Sequence, residues 1–217
     1  LDALGATLRH HRDLGLTHLP LHGEYLLGPA EQLAAQERAL QGCHRCKLAE
    51  SRTRIVFGAG NPRAELVVIG EGPGADEDAQ GKPFVGRAGQ LLTRMLESVQ
   101  LRREDVYICN AVKCRPPGNR TPDAEELAAC APFLSAQLQV LQPKVVLALG
   151  SVAAQALLRT RDPIGKLRGR AHPFGGGVLI PTFHPAFLLR NPGPEYRRMA
   201  WEDLKLARRE YDRRRTR

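Results

Sequence analysis

The hydrophobic pattern along the chain switches repeatedly between two kinds of segment. Unbroken apolar runs occur at Leu66-Val67-Val68-Ile69, Val106-Tyr107-Ile108-Cys109-Asn110, Lys144-Val145-Val146-Leu147-Ala148-Leu149-Gly150 and Val178-Leu179-Ile180. Short runs of this kind, rich in β-branched residues, are expected of strands buried on both faces of a parallel sheet. Between them lie stretches with helical spacing. Glu31 to Leu40 reads as a helix ending at Gly42. Arg87 to Val99 places Leu91, Leu92, Met95, Leu96 and Val99 on one face. Another helix is expected from Asp123 to Leu141, with Thr121 as its N-cap and Pro122 in the first turn. Ser151 would cap a helix running to about Arg159. A last helix, from Pro194 to about Arg214, aligns Tyr196, Met199, Ala200, Leu204, Ala207 and Tyr211. The alternation predicts a three-layer α/β domain around a central four-stranded, largely parallel sheet.

One connection breaks the rhythm. After Ile69 the chain runs through Gly70-Glu71-Gly72-Pro73-Gly74-Ala75-Asp76-Glu77-Asp78 and Gly81-Lys82-Pro83-Phe84-Val85-Gly86 before its helix. A strand-to-helix loop of roughly 16 residues far exceeds the usual two to six, and such loops are often functional. It would lie beyond the carboxyl end of a strand, where ligands bind in open α/β sheets. Gly70-x-Gly72-x-x-Ala75 fits a dinucleotide fingerprint loosely, but no helix is expected at that point and Glu71 would repel a pyrophosphate. The acidic residue that a ribose contact needs about 20 positions on is also missing. The alternative is a small-molecule pocket in which Glu71 does chemistry and Phe84 supplies a stacking face.

Composition narrows the setting. The chain has 217 residues, enough for one α/β domain, and 32 basic against 23 acidic side chains, a net +9 that favours a polyanionic partner. Residues 190–217 alone hold ten Arg/Lys and five Asp/Glu, a basic tail with generic affinity for DNA. Arg168 and Arg170, with Lys166, fall in the Gly/Arg-rich segment 162–177 and are expected on a solvent-facing loop. No apolar run approaches about 18 residues and no signal peptide opens the chain, so no membrane association is expected. The chain starts at Leu1 rather than Met, as a processed or trimmed product does. Residues 1–29, with His10, His11, His18 and His22 irregularly spaced, are expected to be a surface extension, and residues 30–217 the working domain.

Five cysteines are too few for a disulfide scaffold and indicate a reducing compartment. Cys43-x-x-Cys46 is followed 67 residues later by Cys114-x15-Cys130. Four thiolates suit tetrahedral zinc or a [4Fe–4S] cluster, and the spacing is not that of a zinc ribbon. Cys109 sits inside a predicted strand and is expected to be a buried thiol. Asn110 ends that strand beside the expected position of Glu71, and His184 follows the fourth strand in Pro181-Thr182-Phe183-His184-Pro185. An amide offers both a donor and an acceptor to a ligand.

The segment Gly70 to Leu92 resembles the first motif of the family-4 uracil-DNA glycosylases, the iron–sulfur members of that superfamily. Asn110-Ala111-Val112-Lys113-Cys114-Arg115-Pro116-Pro117 resembles their second motif, and His184-Pro185 with the following apolar residues and Arg190 their last. The likeness covers roughly residues 38–210. It implies a monomeric prokaryotic enzyme of the cytosol or nucleoid, acting on uracil-containing DNA and carrying a [4Fe–4S] cluster on Cys43, Cys46, Cys114 and Cys130. It implies catalysis by Glu71 and His184, and uracil binding by Gly72, Phe84, Asn110 and His184, with His184 on the uracil O2. Glu77 and Asn119 are second-rank candidates. Leu188 or Leu189 would wedge into the duplex, with Arg190 near phosphate. Departures are small: Gly72 stands where many relatives have alanine and Phe187 where tyrosine is common. A histidine-containing insertion found in a relative that crosslinks to uracil is missing between Lys113 and Thr121, so hydrolysis is expected. The rival class is a non-catalytic iron–sulfur DNA-binding protein, which has no need of Glu71, Asn110 and His184 at three strand ends.

Overall fold

A computed structural model of the chain describes residues 27–215. The histidines of the expected extension lie outside the described residues. In chain order the elements are α1 (Pro29–Leu40), α2 (Leu48–Ser51), β1 (Ala59–Gly60), β2 (Leu66–Gly70), α3 (Ala75–Gln80), α4 (Arg87–Glu97), β3 (Tyr107–Asn110) and α5 (Ala124–Leu141). They continue with β4 (Val145–Leu149), α6 (Gly150–Leu158), α7 (Ile164–Leu167), β5 (His172–Phe174), β6 (Gly177–Thr182), α8 (Pro185–Arg190) and α9 (Pro194–Arg215).

The sheet has six strands in the order β1-β3-β2-β4-β6-β5, not the four expected. Neighbours within β3-β2-β4-β6 run parallel. The two additional strands are antiparallel edges. They hold two and three residues, too short to carry a readable hydrophobic period. β5 forms a hairpin with β6 inside the segment expected to be loop.

Every residue of β2, β3 and β4 is buried, which is why these segments read as unbroken apolar runs. Leu66, Val68, Val145 and Leu147 turn to one face, packing with Leu92 and Leu96 of α4 and Leu204 and Ala207 of α9. Val67, Ile69, Val146 and Ala148 turn to the other, packing with Leu33 and Leu40 of α1 and Leu134 and Leu141 of α5. Three layers result. The chain goes from β2 to β3 through a helix on one face and crosses back to β4 through a helix on the other. β2 is therefore the switch point, and its carboxyl end is where a crevice opens.

Three local expectations are corrected. The cap of α5 is Asp123, not Thr121: its carboxylate accepts from Glu126 N–H at 2.9 Å while Glu126 accepts from Asp123 N–H at 2.9 Å. The helix after β4 starts at Gly150, one residue before Ser151, and no side chain caps it. Arg168 is not on a solvated loop. Its Nε and Nη2 donate to Asp203 at 2.8 and 2.7 Å, and Thr182 Oγ1 and Gly169 N–H donate to the same carboxylate at 2.8 and 3.0 Å. Asp203 is fully buried on α9, so this cluster ties the last helix to β6. Removing one partner leaves a buried charge without its counter-ion, which typically costs about 3–5 kcal/mol. Arg168→Ala should therefore lower the unfolding free energy measured by urea titration by that order, whereas Arg170→Ala, an exposed neighbour, should leave it nearly unchanged.

Candidate active site

The glycine-rich connection is not an irregular loop throughout. It contains α3, which starts directly behind Gly74. The expectation that no helix begins there is thus wrong, yet the fingerprint still fails for a physical reason. Glu77 already occupies the amides that an anion would use: Oε2 accepts from Gly74 N–H at 3.0 Å, and Oε1 from Val85 and Gly86 N–H at 2.9 Å each. A pyrophosphate would meet a carboxylate. The buried Glu77 staples the two ends of the loop together and delivers Phe84, whose φ of 52° lies in the left-handed region. Two glycines permit that approach. A Cβ on Gly89 would run into the Phe84 carbonyl, and one on Gly70 would overlap both the Phe84 ring and Asn110 Oδ1.

Residues from the ends of β2, β3 and β6 converge on a cavity of about 340 Å³, lined among others by Glu71, Gly72, Phe84, Asn110, His184 and Arg190. Parallel pairing of Gly70 with Asn110 puts the loop bearing Glu71 next to the asparagine. Asn110 is only 1% exposed, and among the described residues its Oδ1 has no hydrogen-bond partner. Buried polar atoms are normally satisfied, so an orphan acceptor on a cavity wall points to a donor on a ligand.

His184 caps α8, its Nδ1 accepting from Ala186 N–H at 3.1 Å. In the neutral ring the proton therefore sits on Nε2. Burial, with the nearby positive charge of Arg190 adding to it, pushes the imidazolium pKa down to about 4. The Phe84 ring lies 5.7 Å from the imidazole, centroid to centroid. Burial also raises the Glu71 pKa above the ordinary glutamate value, opposed by Arg190 and by a hydrogen bond with Thr121. The site thus holds a neutral ring donor and an acid of elevated pKa.

The remaining candidates separate. Leu188 is 3% exposed and packs in the core, so it is not available as a wedge, while Leu189 is half-buried beside the cavity-lining Ala186 and Arg190. Asn119 lies on the exposed rim, accepting from Arg115 Nε at 2.7 Å. Thr121 was missed as a site residue because it was read as a helix cap. The signal lay two residues on, where Asp123-x-x-Glu126 makes a complete capping box and frees the threonine.

Cys43, Cys46, Cys114 and Cys130 border one small cavity between α1, α2, the segment after β3 and α5, with no histidine or carboxylate among its walls. Arg52 Nη1 donates to Cys114 Sγ at 3.4 Å and Lys113 N–H to Cys130 Sγ at 3.3 Å. Burial raises the Cys114 thiol pKa and pushes that of Cys130 up to about 11. Among the described residues no three His, Cys, Asp or Glu side chains stand where they would grip a single metal ion. A cubane cluster spreads its thiolates over separate irons, so an all-cysteine set with N–H donors to sulfur fits it by chemistry. Cys109 faces away, fully buried in the core.

The chain was compared with known proteins. The model of the uracil DNA glycosylase superfamily matches residues 57–205. A type-4 uracil-DNA glycosylase of Thermotoga maritima is 51% identical over 167 residues, 76% of this chain and 87% of that protein. One from Archaeoglobus fulgidus is 45% identical over 163 residues, covering 71% and 82%. The chain belongs to the type-4 uracil-DNA glycosylases. A type-5 uracil-DNA glycosylase of Thermus thermophilus is also similar, at 32% identity over 203 residues, 82% of this chain and 88% of that protein.

The superfamily match spans every cavity residue named above but stops short of Cys43 and Cys46. Those two come from the turn between α1 and α2, at the edge of the cysteine site. A direct check of the site's electrostatics is available without substrate. Nitrogen-15 NMR should find His184 neutral with its proton on Nε2 across the physiological range, titrating near pH 4. A midpoint near 6.5 would mean that the ring is solvated and carries charge in mildly acidic buffer.

Proposed function

We propose that the chain is a DNA-repair glycosylase that flips deoxyuridine out of DNA and hydrolyses its N-glycosidic bond, releasing uracil and leaving an abasic site. One observation carries the reading: the buried, unpartnered Oδ1 of Asn110 in a cavity walled by an aromatic ring and a neutral histidine. Extrusion is how glycosylases reach a base in the stack. Phe84 stacks on the extruded base. Asn110 accepts from uracil N3–H and donates its amide to O4; cytosine, with an acceptor at N3 and a donor at position 4, would leave both mismatched. Gly72, on the pocket wall, lets the loop pack closely on Val112, whose side chain a Cβ there would meet at 2.8 Å.

Bond cleavage puts positive charge on the sugar and negative charge on the departing base. His184, its Nδ1 engaged by Ala186, turns its Nε2–H to uracil O2 and stabilises that anion as a neutral donor. Glu71 orients the attacking water, takes its proton and offsets the charge on the sugar. Glu77 takes no part in proton transfer, since three backbone amides occupy its oxygens; it shapes the pocket. Leu189 fills the gap left in the duplex and Arg190 meets phosphate. The site is complete within one chain, and we read the enzyme as a monomer acting on prokaryotic DNA, with residues 30–217 as the glycosylase domain. Among the described residues no helix is long and apolar enough to cross a membrane.

Cys43, Cys46, Cys114 and Cys130 would hold a [4Fe–4S] cluster. Bound there, it ties the N-terminal helices to the segment after β3. Anaerobically purified protein should be brown from thiolate-to-iron charge transfer; Cys130→Ser should bleach it and Cys109→Ser should not. Colourless protein with stoichiometric zinc would overturn the assignment.

Single-turnover assays on uracil-containing oligonucleotides test the site. His184→Ala and Glu71→Gln should each slow cleavage by ~10²–10³ with DNA affinity nearly unchanged, the scale for loss of one transition-state contact. Asn110→Asp should instead change specificity, losing uracil and gaining weak activity on cytosine. The parent rate should be full at neutral pH and fall on acidification as Glu71 takes up a proton, with its midpoint above the ordinary glutamate value. Full activity of Asn110→Asp on uracil would sink the edge-reading role.

A further inference from the structure

Lys113 is the largest fully buried side chain in the described residues, at 1% exposure, and the chemistry above makes no use of it. Its Nζ donates to the Asn110 carbonyl at 2.9 Å and to Gln137 Oε1 at 2.5 Å, and lies 6.0 Å from the centre of the Phe57 ring. Gln137, itself fully buried on α5, is held in turn: its Nε2 donates to Phe57 O at 3.0 Å and to the Tyr107 hydroxyl at 3.4 Å. A polar group buried this deeply is weak evidence for stability, because a well-packed apolar residue of similar volume often serves the fold as well. What the amine provides, and a methyl group does not, is a fixed hydrogen bond to one backbone carbonyl.

That carbonyl belongs to the residue proposed to read the base. We propose that Lys113 is a positioning residue for Asn110, setting the amide's aim into the uracil pocket; the inference rests on the base-reading role of Asn110. The peptide plane joining residues 110 and 111 is gripped from both sides. Ala111 N–H donates to Gly70 O at 2.9 Å, and the Asn110 carbonyl accepts from Lys113 Nζ. Clamping that plane fixes ψ of Asn110, and hence the direction in which its side chain leaves the backbone. The clamp is anchored further along. Val112 N–H donates to Glu71 O at 3.1 Å, Lys113 N–H to Cys130 Sγ at 3.3 Å, and Val56 N–H to Lys113 O at 2.8 Å. Five consecutive residues, Asn110 to Cys114, thus run from the uracil pocket to the cysteine site with a fixed contact at each. Gln137 has a second effect: it steers the Lys113 amine from α5, so a helix far away in sequence helps aim the amide.

A double-mutant cycle tests this. Lys113→Met keeps the buried stem and removes the amine. In the parent it should slow single-turnover uracil cleavage ~10-fold, the loss of one buried hydrogen bond, and narrow the preference for uracil over cytosine. In an Asn110→Ala background the same change should cost less than about 2-fold, because no amide is left to aim. Iron content and the cooperativity of unfolding are followed in every variant. An equal loss in both backgrounds would show that Lys113 acts on the fold at large and overturn the proposal. Should Lys113→Met fail to fold, Gln137→Met, which leaves the lysine in place but unsteered, is run through the same cycle with the same two outcomes. Asn110→Ala alone being as fast as the parent would be a different failure: the base-reading role itself would fall, and the positioning role with it.

Discussion

The Glu77 carboxylate takes hydrogen bonds from the Gly74, Val85 and Gly86 amides, and the pocket's shape follows from that one exchange. A long connection between β2 and α4 has many conformations available, and their loss must be offset by something specific. Three backbone N–H groups converging on one buried carboxylate supply it, as charge-assisted bonds in a site where an unpaired charge would be costly. With the loop closed, Phe84 can sit at positive φ against Gly89, and its ring can face Asn110 across the bare Cα of Gly70. Remove the carboxylate and every one of those placements loses its support.

Two ionisable groups then share the cavity in protonation states set by their surroundings. Desolvation pushes Glu71 towards its neutral form and His184 away from its charged one. Arg190 acts on both, opposing the first shift and reinforcing the second. The proposed mechanism uses the first as a carboxylate of raised basicity towards water and the second as a neutral donor to the leaving base. In the proposed mechanism one arginine at the rim therefore tunes chemistry as well as meeting phosphate.

The cysteine site and the pocket are neighbours through the backbone, not through space alone. The strand that ends in Asn110 continues directly into Cys114, and each residue between is held by a hydrogen bond, Ala111 and Val112 to the carboxyl end of β2 and Lys113 to α5. Whatever fixes the cysteines fixes the register of that segment. In the proposed assignment, a cluster held by those cysteines would thereby have a physical route to the precision of base recognition.

Much of this was legible along the chain. The buried strands announced themselves because residues enclosed on both faces leave an apolar run. Asn110 and His184 stood out as polar residues where such runs stop, and motif likeness named their family. Tertiary structure decided the rest, for reasons that a local pattern cannot carry. The edge strands are too short to show a period. Leu188 and Leu189 are adjacent and chemically identical, and only the packing of α8 sends one into the core. Arg168 read as surface because its counter-ion, Asp203, lies 35 residues away. The place of Lys113 could not be read along the chain because Gln137, which accepts its hydrogen bond, lies 24 residues on along another helix. Charged residues are assigned to solvent unless a partner is known, and these partners exist only once the chain has folded.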